Sequence, residues 1–240
     1  MPSNLSAESS PLVEARLAGA LWLAVIAVSI LAVVSGPSLN PHSDPVTLVA
    51  NVIASEPRIR LAFVATFAGS LFYLGVTVLL YELLKPVNRS IALFGAFCGL
   101  AGIVVGAAVS VNDLATLALV DDARRAAAPA SSLVQNAVQM FVGAAEPEFK
   151  VGMVFFGFQI ASVGYLIFRS TFLPRVIGVI LMLGGSSYVV SSFASFVSAT
   201  LGAALAPFVI PIAILGEGSL TFWLLIKGVD VENWQRSAHP

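Results

Sequence analysis

The chain has 240 residues, of which 58% are hydrophobic and only 10% charged, with a formal net charge of −1 and a mean hydropathy of +0.94. A soluble domain carries about 25% charged residues, so this is the composition of a membrane protein. No Lys/Arg run of the nucleic-acid type occurs, and nucleic acid is excluded as a partner. With one cysteine, Cys98, inside an apolar run, no intrachain disulfide forms.

The first sixteen residues, MPSNLSAESSPLVEAR, are Ser-rich and acidic and lack a basic segment ahead of a short apolar one. A cleaved signal peptide is therefore not expected, and residues 1–16 read as a polar tail. Six apolar runs of spanning length follow: residues 17–34, 61–84, 91–117, 151–168, 176–197 and 203–226. The expectation is an all-α polytopic membrane protein, a bundle of six transmembrane helices over residues 17–227 with a C-terminal tail at 228–240. The last two runs are separated by only a few small residues, which leaves their boundary open.

An even number of spans puts both termini on one side. Arg16, Lys85, Arg89, Arg169, Arg175, Lys227 and Arg236 fall on that side, against Arg58, Arg60, Arg124, Arg125 and Lys150 on the other. Two of the loops on the first side, KPVNRS and RSTFLPR, are short and basic, the kind that weighs most in the positive-inside rule. The expected location is the inner (plasma) membrane with both termini cytoplasmic, and Trp22 and Trp223 near the cytoplasmic interface. Membrane lipids are then the solvent of the spans.

Two connections on the outer side are longer than a turn requires. DPVTLVANVIASEP opens with Asp44 as an N-cap and Pro45 at the first helical position. SSLVQNAVQMFVGAAEP puts Val134, Val138, Phe141, Val142 and Ala145 on one face. Both read as short amphipathic helices at the outer surface. They also resemble one another: SEPRIRLAF and AEPEFKVGM share Glu-Pro, an apolar residue, a basic residue and the start of a span, a pattern compatible with a duplication or with two ordinary helical hairpins.

The blocks ARLAGALWLAVIAV, LLYELLKPVNRSIAL, FFGFQIASVGYLIFRSTFLPRVIGVILMLGG and GEGSLTFWLLIKGV resemble those of the bacterial "domain of unknown function 4386" membrane proteins. The resemblance runs from Ala15 to about Val229, and its most specific block is Phe155–Gly185. It implies six spans and a bacterial membrane, and no activity. The position of Gln159 is often histidine in that family, so the glutamine departs from the pattern and a histidine ligand or proton carrier is not carried over to this chain.

Counting helical rise from the basic span ends places polar side chains at one depth. Glu217 precedes Lys227, and Gln159 precedes Arg169, by ten residues, or about 15 Å. Tyr73, Cys98 and Ser186-Ser187-Tyr188 lie near the same level. In the last span Pro207 and Pro211 each remove a backbone donor, while Gly216 and Gly218 flank the carboxylate and permit close approach. Helix-breaking residues beside an intramembrane acid are how transporters build binding sites, and also an ordinary way to kink a packed helix. Glu217, Gln159, Tyr188, Ser187 and Tyr73 form the candidate ligand site. Two readings of Glu217 stand side by side: a proton- or cation-linked binding residue, or an interhelical hydrogen bond.

Asp113 falls near the outer end of its span, where a carboxylate is cheap, and Glu82 reads as an interfacial acid paired with Lys85. DDARR (residues 121–125) lacks a second acidic cluster and reads as a solvated loop rather than a metal–diphosphate site. No histidine lies in any span, which leaves haem, zinc and a Ser-His protease unsupported. No mid-span lysine, paired aspartates, Gly-rich phosphate loop or base beside the serines occurs either, so no catalytic residue, metal or cofactor is expected. Cys98 should be an inert thiol. The functional expectation is binding or transport of a small molecule, apolar or protonatable, at Glu217. The alternatives are a scaffold or sensor acting through a protein partner or a homo-oligomer and, less supported, an enzyme on lipid.

Overall fold

The computed structural model describes residues 10–125 and 131–238. Residues 1–9 of the expected tail, and His239 and Pro240, lie outside them. The described residues form eight helices and no strand: α1 (Pro11–Ser35), α2 (Pro45–Ala54), α3 (Glu56–Leu84), α4 (Arg89–Arg125), α5 (Ser132–Arg169), α6 (Arg175–Val197), α7 (Ala199–Ile226) and α8 (Val231–Ala238). All except α2 and α8 are long and apolar enough to cross a membrane. The chain is an all-helical, multi-pass membrane protein.

Local chemistry sets the helix ends. Pro11 opens α1 at a position where no donor is needed. Asp44 caps α2, its Oδ2 accepting from the Thr47 N–H at 3.1 Å, with Pro45 behind it. Ser198 alone separates α6 from α7 and caps α7 by accepting from the Leu201 N–H at 3.4 Å. Gly228, at φ +70°, closes α7 through its N–H to the Trp223 carbonyl at 2.9 Å.

Two expected boundaries differ in an informative way. Helix α1 starts at Pro11 rather than at the apolar run from Leu17, because helix propensity and the proline extend it beyond the hydrophobic segment. The expected second surface helix is the first third of α5, which continues through Pro147 into the span. A proline inside a helix removes one hydrogen bond, here to Gly143, and 38 residues hold the rest. The matching Pro57 instead stands in the first turn of α3, where the backbone has just left α2 at Ser55. The two similar stretches therefore fold differently.

The chain divides into two compact units, each using parts of α1, α3, α4 and α5. Unit 1 comprises Met1–Leu23, Tyr73–Leu100 and Val154–Pro240. Its helices α5 and α6 touch through small residues. A Cβ on Gly164 would lie 2.7 Å from the Gly178 carbonyl oxygen and the Met182 nitrogen, and one on Gly185 would lie 2.5 Å from the Ala161 nitrogen. Without a hydrophobic force between helices in lipid, such close contact supplies dispersion and holds the pair. Gly216 brings α7 to α6 in ordinary contact with Ile180 and Leu181. Trp234 of α8 donates its indole N–H to the Leu83 carbonyl at 2.9 Å, satisfying one of the last carbonyls of α3. In the adjoining hairpin Lys85 pairs with Glu82, as expected, and that carboxylate holds the ammonium above the ordinary lysine value.

Unit 2 comprises Ala24–Phe72 and Ala101–Met153. Its core gathers Leu48, Val49 and Val52 of α2 with Ile59, Leu117, Val120 and Val138. Val134 and Val142 pack against it, so the expected apolar face of residues 134–145 is used. Gln139 donates to the Pro41 carbonyl at 2.7 Å, and Arg58 holds the Ser35 and Gly36 carbonyls at 3.0 Å each. Arg124 reaches Glu56 at 2.6 Å and the Ile53 carbonyl at 3.0 Å, and lies 3.6 Å from Asp121. Within DDARR, Asp121 thus belongs to an ion-pair network. Asp113 is half-buried, and its neighbour Asn112 donates to Glu148 at 2.6 Å.

Candidate functional site

The polar side chains of unit 1 form a ladder of short links at the level counted from the span ends. Tyr73 on α3 donates its hydroxyl to Gln159 Oε1 on α5 at 2.9 Å, and Gln159 Nε2 donates to Thr77 Oγ1 on α3 at 3.0 Å. Tyr73 and Thr77 are one turn apart and so share a face. Gln159 is almost fully buried, and room for it comes from Gly99 on α4: a Cβ there would stand 2.5 Å from its Cδ and 2.6 Å from its Oε1.

On the other side of Tyr73 is the carboxylate. Tyr188 on α6 donates its hydroxyl to Glu217 Oε1 on α7 at 2.7 Å. Trp22 on α1 and Tyr73 on α3 are further neighbours of that carboxylate. The Trp22 and Tyr73 rings meet edge-on at 6.2 Å, and Tyr73 meets Phe156 likewise at 5.1 Å. No salt bridge to Glu217 occurs among the described residues. Unlike Trp22 and Gln159, the carboxylate residue is only half-buried. The arrangement is an acid walled by aromatic rings, with one oxygen held by a phenol.

Of the expected site residues, Glu217, Tyr188, Tyr73 and Gln159 fall into this ladder. Ser187 does not: its hydroxyl turns back to the Gly184 carbonyl of its own helix at 2.7 Å, and Ser186 is exposed. Gly216 does allow α7 to approach α6, whereas a Cβ on Gly218 would meet nothing within 4 Å. Helix α7 runs unbroken through Pro207 and Pro211. Cys98 is buried on α4. Trp22, expected near the cytoplasmic interface, is 1% exposed and packs inside unit 1. Trp22 and Thr77 are the two members that sequence reasoning missed. The signal for Thr77 was its position one turn after Tyr73. Among the described residues no cluster of His, Cys, Asp or Glu suited to a metal ion is present.

An uncharacterised protein from Archaeoglobus fulgidus is 23% identical to this chain over 155 residues, which is 64% of this chain and 75% of that protein. No solved structure matches the chain. Residues 17–228, which contain all six long apolar helices except the first six residues of α1, match a family described as Domain of unknown function (DUF4386). The chain belongs to that family.

Proposed function

We propose that this protein binds, and moves across the membrane, a small protonatable organic molecule, with Glu217 as the group that holds its charge or its proton. One observation carries the reading: a mid-helix carboxylate with no cationic partner among the described residues, walled by Trp22, Tyr73 and Tyr188. Carboxylates inside spans are costly, at about 2.5–3.5 kcal/mol on insertion scales, and mark ion or substrate pathways. Aromatic faces beside an acid suit an organic ammonium, because the ring quadrupole and the carboxylate attract the same charge. Pro207 and Pro211 free carbonyls one turn earlier in α7, which supports adjustment of that helix around a ligand.

A second reading has its own observation. The Tyr188–Glu217 bond ties α6 to α7 and the Tyr73–Gln159–Thr77 bonds tie α3 to α5, as a scaffold that works through a protein partner or a second copy would require. The aromatic rings around an acid that has no cationic partner among the described residues favour the first reading. The location we propose is the plasma membrane of a prokaryote, with both termini cytoplasmic, on the strength of the short basic loops.

The test is a thermal-shift series on purified protein with small hydrophobic amines and, as controls, alcohols of the same shape. Stabilisation of wild type by amines but not alcohols, lost in Glu217→Gln, is the expected result. At 100 times the dissociation constant the stabilisation reaches about 2.7 kcal/mol. Equal responses of the two proteins, or none across the series, would remove the proposal.

A further inference from the structure

We infer that unit 1 holds a structural water at the foot of the ladder, in a notch between α3, α4 and α5, bound by Gln159, Thr77 and Ser162. The notch extends from Leu84 and Leu166 near the α3–α4 hairpin up to Gln159. Counted as space open to the centre of a water molecule, its volume is about 10 Å³. That is the lower bound for holding one water, and far too small for an organic ligand. Small residues on α4, Ala92, Gly95 and Ala96, create it.

Hydrogen-bond arithmetic identifies the occupant. A glutamine amide has two N–H donors, and a threonine hydroxyl has one. Gln159 directs one N–H to Thr77 and its oxygen to Tyr73, which leaves one donor over. Thr77 accepts that bond, and among the described residues its own hydroxyl proton meets no acceptor. Ser162 donates to the Phe158 carbonyl at 2.7 Å, so its oxygen still has lone pairs to offer. Gln159 is 2% exposed, Thr77 4% and Ser162 9%, so neither bulk water nor lipid satisfies these groups. The lining is thus two spare donors and one spare acceptor, which suits a molecule that both accepts and donates and is no larger than water. A buried water normally makes about three such bonds. A chloride or carboxylate would meet Ser162 with its acceptor side and exceed the volume.

The consequence is directional. A water here fixes the glutamine amide with its oxygen toward Tyr73, and hydrates the Tyr73–Gln159–Thr77 links from the hairpin end. The inference does not rest on Glu217 binding a ligand.

Water-edited solid-state NMR on the full chain in lipid vesicles reads the contact directly, as transfer from water protons to the Gln159 side-chain amide. The backbone amide of buried Val76 serves as the dry reference. Wild type should show rapid transfer to the Gln159 amide. In Gly95→Ala, whose methyl would stand 3.2 Å from Ser162 Cβ on the notch wall, transfer should fall about threefold or more. Ser162→Ala, which removes the acceptor without adding bulk, should also weaken it, and serves if Gly95→Ala does not fold. A Gln159 amide as dry as Val76 in wild type overturns the inference. So does transfer that persists unchanged in the substituted proteins.

Discussion

Gly99→Ala tests the ladder through its most confined member. The new methyl would stand 2.5 Å from Gln159 Cδ and 2.6 Å from its Oε1, closer than non-bonded atoms approach. The amide cannot swing aside freely, because its oxygen accepts from Tyr73 and its nitrogen donates to Thr77. Overpacking of this kind costs about 1–3 kcal/mol, and each interhelical hydrogen bond lost in a membrane about 0.6 kcal/mol, at most about 1.7. A loss of about 2–3 kcal/mol is expected in reversible denaturant unfolding from mixed micelles. The decisive comparison is the same change made in a Gln159→Ala background, where the clashing atoms are gone and Gly99→Ala should be neutral or slightly stabilising. Pairs in direct contact couple by about 0.5–3 kcal/mol, and this pair should be near the upper end. Equal costs in the two backgrounds would refute the reasoning, because the methyl would then be meeting something other than the amide.

Further outcomes follow from other contacts. Gly185→Ala should destabilise by at least about 2 kcal/mol whatever nearby side chains are trimmed, since its Cβ would meet backbone atoms of Gly157 and Ala161, whereas Gly218→Ala, facing open space, should be neutral or stabilise by up to about 1 kcal/mol in the same unfolding assay. Trp234→Phe should remove the N–H to the Leu83 carbonyl and speed limited proteolysis within α8, at a cost near 1 kcal/mol. Arg124→Gln should lower stability by about 1 kcal/mol or less, because its ion pairs with Glu56 and Asp121 are partly exposed, and the difference should shrink as salt is raised.

Much of the fold was legible in the sequence because lipid imposes a simple rule. Every span must be a helix of sufficient length and apolarity, so runs such as Val176–Val197 announce themselves. The rule says nothing about where a helix stops outside the apolar region. That is why the sequence pattern breaks α5 into two pieces around Pro147 and begins α1 six residues late, at Leu17 instead of Pro11. Depth counting brought Glu217, Gln159, Tyr73 and Tyr188 to one level, but depth carries no azimuth. Ser187 and Tyr188 are neighbours in depth and about 100° apart around α6, and only the tyrosine reaches Glu217. The role of Gly99 was invisible for another reason: a glycine declares its purpose only through the side chain that fills the space above it.

On the proposed function, Glu217 is kept for binding rather than for folding. The most direct test is the unfolding free energy of the double variant Glu217→Leu/Tyr188→Phe against wild type, in detergent and without ligand. Removing both groups of the Tyr188–Glu217 bond leaves no phenol unpaired, so the comparison reads the net worth of that bond against apolar side chains. The expected result is a double variant as stable as wild type or more stable, together with loss of the amine-induced thermal shift. A double variant destabilised by more than about 2 kcal/mol would contradict it and make the carboxylate a structural tie between α6 and α7.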